Sequence, residues 1–240
     1  MSVQQFTAPD AQGAADACAR HIFKLLEAAI AARGRAAIAI SGGSTPKLLF
    51  QKMAATQFAW DPVHLFFVDE RCVAPTDSAS NYKLANDNLI EAAHIPAGNV
   101  HRIVGEMAPA EAAERYTAEI RDFFGLHGGE MPQFDIVHRG MGPDAHTASL
   151  FPGDPLIDDC AGIAAATFAK KFNQWRVTLL PGVLLAARNT VFLVAGEDKV
   201  EALRAVFRAP YDPKKFPSQI GNNGDSVAWF LDESAAKGLS

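Results

Sequence analysis

Residues 36–46 read Ala36-Ala37-Ile38-Ala39-Ile40-Ser41-Gly42-Gly43-Ser44-Thr45-Pro46. The first five are apolar without a break, as in a short strand buried on both faces. Two glycines then let the backbone turn tightly and approach a ligand closely. Pro46 suits the first position of a helix, where no N–H is needed. Upstream, residues 12–33 carry Cys18, Ile22, Leu25, Leu26, Ala29 and Ile30 at helical spacing, and Gly34 follows as a stop signal. Downstream, strands are expected at 63–68, 100–104, 134–137, 176–180, 191–195 and 226–231, with helices at 46–55, 80–92, 108–124 and 197–207. Short apolar strands separated by helices predict an α/β fold, a mostly parallel, doubly wound sheet with helices on both faces. No repeat, low-complexity tract or long linker divides the chain, so residues 1–240 are read as a single domain.

Composition removes several function classes. Hydrophobic residues make up 49% and charged residues 20%, which excludes a disordered chain, a collagen and a coiled coil. The apolar runs are far shorter than the roughly 20 residues that cross a membrane, and the N-terminal Met-Ser-Val-Gln-Gln-Phe shows no secretory signal. Cys18, Cys72 and Cys160 are odd in number and far apart, and read as reduced thiols of a cytoplasmic protein. The net charge of −5 disfavours nucleic acid as a partner. It leaves room for an anionic small substrate, because a few local cations can outweigh a modest global charge. The oligomeric state stays open, and a monomer is compatible with the sequence.

In open parallel sheets ligands bind beyond the carboxyl ends of the strands, so the residues that follow each strand matter most. Ser41, Gly42, Gly43, Ser44 and Thr45 offer backbone N–H groups and hydroxyls where a helix begins, a good phosphate cradle. The alternative is a plain turn with Ser or Thr as the helix cap. The loop is not a Walker A motif. Asp69-Glu70-Arg71 closes the 63–68 strand with three charges, either a functional group or a surface turn. After the 134–137 strand come Gly140-Met141-Gly142-Pro143-Asp144-Ala145-His146-Thr147-Ala148-Ser149-Leu150-Phe151-Pro152. His146 is a candidate general base and Asp144 its partner, or Asp144 caps a short helix and His146 is a partly buried ring. His138 and Arg139 are odd residues at the end of a core strand. Arg176 and Lys199 sit where each can balance a phosphate, or are solvated surface cations. No G-x-S-x-G elbow, H-E-x-x-H or metal-ligand spacing is present.

Taken together, these segments resemble the 6-phosphogluconolactonase family. The matching pieces are residues 41–46, Asp69-Glu70-Arg71 with Asn81-Tyr82, the 140–152 segment, Arg176-Val177-Thr178-Leu179, Gly196-Glu197-Asp198-Lys199 and Trp229-Phe230-Leu231-Asp232. They span nearly the whole chain. The His146 segment is the specific one, while the first loop is shared with glucosamine-6-phosphate deaminase/isomerase relatives. The resemblance implies hydrolysis of 6-phosphoglucono-1,5-lactone in the pentose phosphate pathway without metal or organic cofactor. It implies His146, Asp144 and Arg71 as catalytic groups. Ser41, Gly42, Gly43, Ser44, Thr45, Asp69, Arg176 and Lys199 would hold the sugar phosphate. Two departures stand out. The family usually has Gly where this chain has Ala145, which costs of order 1 kcal/mol if φ is positive there. His138-Arg139 replaces what is usually an apolar pair. The alternatives are a related amino-sugar-phosphate deaminase/isomerase and a non-catalytic sugar-phosphate-binding protein. The deaminases carry Asn-Glu-Pro where this chain has Leu150-Phe151-Pro152.

Overall fold

A computed structural model describes residues 3–223 and 226–239, so Met1 and Ser2 of the N-terminal segment lie outside the described residues. In chain order the elements are β1 (Gln4–Ala8), α1 (Ala11–Arg33), β2 (Ala36–Ile40), α2 (Ser44–Ala54), β3 (Val63–Phe67), β4 (Asp69–Arg71), α3 (Asn81–Ala85), β5 (Val100–His101), α4 (Pro109–Phe124) and β6 (Ile136–Arg139). Then come β7 (Ala164–Ala169), β8 (Gln174–Leu179), α5 (Pro181–Ala186), β9 (Thr190–Val194), α6 (Val200–Arg208), β10 (Val227–Asp232) and α7 (Glu233–Ala236).

All five residues of β2 are buried, as an unbroken apolar strand requires. β2 lies inside a seven-stranded sheet of order β1-β10-β9-β6-β2-β3-β5, with every pairing parallel. The Asp10 carboxylate caps α1 by accepting the Gly13 N–H at 2.7 Å, and Gly34 ends the helix with φ 76°. Alternation along β9 and β10 serves two cores. Val191, Leu193, Ala228 and Phe230 face the larger core with α1. Phe192, Val194, Trp229 and Leu231 face the smaller one with Ala202, Leu203 and Val206 of α6. Helices therefore cover both faces. Among the described residues no helix is long and apolar enough to cross a membrane.

Several expectations need correction. The strand expected at 176–180 is not in the parallel sheet. It is β8, the centre of a separate antiparallel sheet of order β4-β8-β7. The short connection 170–173 permits a hairpin and no crossover helix. Asp69-Glu70-Arg71 is a strand of that sheet, not a turn. β1 was not expected, because it is an edge strand with four of its five residues exposed and carries no apolar pattern. β6 begins at Ile136 rather than 134, because at Asp135 the carboxylate instead of a backbone carbonyl accepts the Ala37 N–H, at 2.8 Å. The 80–92 helix is α3 followed by a π-helical turn, Asn86–Ile90. The 100–104 strand shortens to two residues. The 197–207 helix starts with a 3₁₀ turn, Glu197–Lys199.

From β2 the chain runs to β3 and β5 on one side, and the later strands β6 and β9 lie on the other. The strand order reverses between β2 and β6, and the loops leaving these two strands open a crevice. The loop after β6 takes a conformation unusual for its residues. Ala145 has φ 62° and is 1% exposed, and Ala148 has φ 52°. For Ala145→Gly, relief of about 1–2 kcal/mol of left-handed strain offsets the lost methyl and the freer unfolded chain. That variant is expected within about 1 kcal/mol of wild type, whereas β-branched Ala145→Val is expected to lose more than about 2 kcal/mol. Urea unfolding checks this, and a Val variant as stable as wild type contradicts the left-handed geometry.

Candidate active site

Ser41, Gly42, Gly43, Ser44, Thr45, Asp69, Arg71, His146, Arg176 and Lys199 all line one cleft of ≈ 450 Å³ at the carboxyl ends of the strands. Asp144 stands behind His146. Residues expected from separate sequence segments are thus brought together.

The loop after β2 presents an open helix end. α2 starts at Ser44, Gly43 occupies the cap position with φ 122°, and no side chain caps the first turn. The plain-cap alternative is therefore not what the chain adopts, and the first amides of α2 remain free of side-chain capping. Ser41 is turned away from this end, its hydroxyl donating to the His138 carbonyl at 3.1 Å. At Gly42 a Cβ would lie 1.8 Å from Asn81 Oδ1, so any side chain there would push Asn81 aside.

β4 carries the next wall. Glu70 is buried and structural. Its carboxylate accepts the N–H groups of Arg71 at 2.8 Å, Asn81 at 2.7 Å and Tyr82 at 2.7 Å, and the Ser80 hydroxyl at 2.9 Å. Burial pushes its carboxyl up, and these four bonds oppose that shift. Asn81 locks Arg71, accepting its Nη1 at 2.5 Å, while the Ala79 carbonyl accepts the same nitrogen at 2.7 Å. Asp69 accepts the Ser149 hydroxyl at 2.6 Å and pairs with Arg176 at 3.8 Å. It therefore orients Arg176 within the wall. Arg71 and Arg176 are register partners across β4 and β8. Burial lowers the Arg176 pKa and Asp69 opposes that shift. Its guanidinium lies 4.8 Å from the Phe172 ring centre.

No helix follows β6, so Asp144 caps none. Its Oδ1 accepts from the His146 backbone N–H at 3.3 Å and contacts ring Nδ1. Lys171, from the β7–β8 hairpin, reaches Oδ2 at 3.2 Å. The histidine bond, aided by Lys171, holds the Asp144 carboxyl well below the usual carboxylate range. Gly142 makes room for the ring, since a Cβ there would lie 2.0 Å from His146 Cε1. With Nδ1 engaged, Nε2 is the ring nitrogen left for the cleft. Lys199 pairs with Asp198 at 2.8 Å, and both line the cleft. Among the described residues no group of three or more His, Cys, Asp or Glu is placed to hold a metal ion.

Sequence reasoning assigned no role to Asn81, Lys171, Phe172 or Asp198. Asn81 was legible as the residue after a Ser80 cap. Lys171 and Phe172 sit on a hairpin that the pattern did not reveal.

The family profile described as glucosamine-6-phosphate isomerases/6-phosphogluconolactonase matches residues 9–229. A 6-phosphogluconolactonase of Synechocystis sp. is 36% identical over 212 residues, 88% of this chain and 88% of that one. A human 6-phosphogluconolactonase is 34% identical over 215 residues, 87% of this chain and 83% of its own length. The solved 6-phosphogluconolactonase from Trypanosoma cruzi superposes with a TM-score of 0.89 at 26% identity, covering 100% of this chain and 97% of that one. With a profile match over most of its length and relatives above 30% identity across more than four-fifths of it, this chain belongs to the glucosamine-6-phosphate isomerase/6-phosphogluconolactonase family.

Proposed function

We propose that this protein hydrolyses 6-phospho-D-glucono-1,5-lactone to 6-phosphogluconate, the lactonase step of the pentose phosphate pathway, with His146 as general base. One observation carries the reading. An uncapped helix N-terminus and a histidine tethered by a carboxylate face the same cleft. The first suits a phosphate, and the second suits proton transfer. A lactone is an activated ester, so a positioned water suffices and no covalent nucleophile is required. Water oxygen attacks C1 while His146 Nε2 takes its proton. The tetrahedral oxyanion develops beside Arg71, whose fixed guanidinium stabilises it. The C1–O5 bond then breaks, and His146 returns the proton to O5.

The 6-phosphate sits on residues 42–45, with Lys199 and Arg176 supplying charge and Asp69 holding Arg176 in place. Residues 1–240 act as one sugar-phosphate lactonase domain in the cytoplasm. The deaminase alternative lacks support at Leu150-Phe151-Pro152, where its glutamate is missing. The binding-protein alternative would need the Ala145 departure to disable the turn, yet Ala145 takes up a left-handed φ of 62°, the region a glycine favours.

His146→Ala is expected to lower kcat at least ~100-fold on freshly generated lactone, measured against spontaneous hydrolysis. An unchanged kcat removes His146 as the base. Lys199→Ala is expected chiefly to raise KM, and an unchanged KM removes it from the phosphate site. Asp144 gives a pH test. Its folded-state pKa is depressed by His146, so its contribution to stability is complete above the unfolded value of about 4 and is lost as pH falls below it. Asp144→Asn should be less stable than wild type at pH 7, with the gap narrowing as pH falls below about 4. A gap that is constant with pH contradicts the tether.

A further inference from the structure

Arg139 ends β6, in the middle of the parallel sheet, and is wholly buried. Among the described residues no carboxylate pairs with it. Its Nε donates to Thr147 Oγ1 at 3.1 Å and its Nη1 to the Ile220 carbonyl at 2.7 Å. Its Nη2 is buried without a hydrogen-bond partner, and the guanidinium lies 4.6 Å from the Phe192 ring centre. Burial pushes its pKa down to about 9, so it keeps its charge at neutral pH. A buried cation with no counter-charge is a poor source of stability, and a packed apolar side chain is the simpler occupant of such a position.

What Arg139 grips gives the cation a purpose. Thr147 follows His146, and its hydroxyl donates onward to the Gly140 carbonyl at 3.0 Å. Ile220 follows the turn Pro217–Gln219, from which Ser218 donates its N–H to the Ala145 carbonyl at 2.9 Å and its hydroxyl to the His146 carbonyl at 3.3 Å. The guanidinium thus joins the residue after His146 to the segment that holds Ala145 and His146 from behind. The turn it braces carries positive φ at both Ala145 and Ala148. Such backbone persists only where the surroundings over-determine it. Arg139 does not line the cleft.

We infer that Arg139 is a positioning residue for the lactonase reaction, fixing the His146 turn by tying Thr147 to Ile220. This rests on the reading of His146 as the base. Arg139→Met keeps a long apolar stem and removes the donors and the charge. It is expected to lower kcat roughly 10- to 100-fold, the scale of a displaced catalytic group, with KM within about twofold of wild type. Arg139→Lys keeps a charge but cannot span both acceptors, and is expected to lose kcat likewise. Should the Met variant fail to fold, Thr147→Val, which removes one end of the tie, is expected to show the same split. A folded Arg139→Met with wild-type kcat overturns the inference. So does a loss confined to KM, which would mean that the charge acts on the anionic substrate. His146→Ala, measured beside it, separates the two readings. If it keeps turnover, the base assignment has failed and the tie has nothing to position. If it loses turnover while Arg139→Met does not, the Arg139 inference alone has failed.

Discussion

Between β2 and β6 the strand order reverses, so the two loops that leave there must diverge. That constraint comes from the sheet and not from any functional residue. It opens a cleft at the carboxyl edge of the sheet. One wall is the start of α2, where Gly43 puts no side chain over the first amides. The other is the turn that carries His146. The third wall is the small antiparallel sheet, which brings Arg71 and Arg176 to the crevice as register partners. The uncapped start of α2 and the tethered His146 are thereby placed on different elements around one cleft.

The site is held by buried polar groups rather than by apolar packing alone. Glu70 joins β4 to the start of α3 through four hydrogen bonds, and Asn81, placed by that joint, fixes Arg71. Asp69 holds Arg176 in the same way. Beneath the His146 turn, Arg139 provides the corresponding brace. Buried polar groups left without partners are costly, and Arg71 Nε, Arg139 Nη2 and Arg176 Nε carry that cost in this network. Its value lies in geometry, because the arginines that face the cleft are locked by neighbours in the same wall, Arg71 by Asn81 and Arg176 by Asp69.

The sequence was legible where burial imposes a pattern. The unbroken apolar run of β2, the helical spacing of α1 and the glycines after β2 and β6 each follow from one physical requirement, and each was readable. β1 was not, because an exposed edge strand such as Gln4–Ala8 needs no apolar alternation. The antiparallel β4-β8-β7 sheet was missed for a different reason. Strand segments look alike whether their partners run parallel or antiparallel, and only the short 170–173 hairpin distinguishes them. Asp144, His146 and Lys199 were each readable from their places after the strands, and the family resemblance joined them into one site. Lys171 and Phe172 escaped because it is that hairpin which brings Lys171 to Asp144 and Phe172 to the cleft. His138 and Arg139 looked anomalous in sequence, but the partners that give Arg139 a purpose, Thr147 and Ile220, lie on loops that local pattern cannot place.

The central claim is a division of labour, with phosphate at the α2 end and lactone carbonyl at His146. A crystal structure with bound 6-phosphogluconate tests it most directly. The account predicts the phosphate within hydrogen-bond distance of the Ser44 and Thr45 amides and of Lys199, and the C1 carboxylate beside His146 and Arg71. A ligand bound in the reverse sense, with its phosphate at His146, would contradict it.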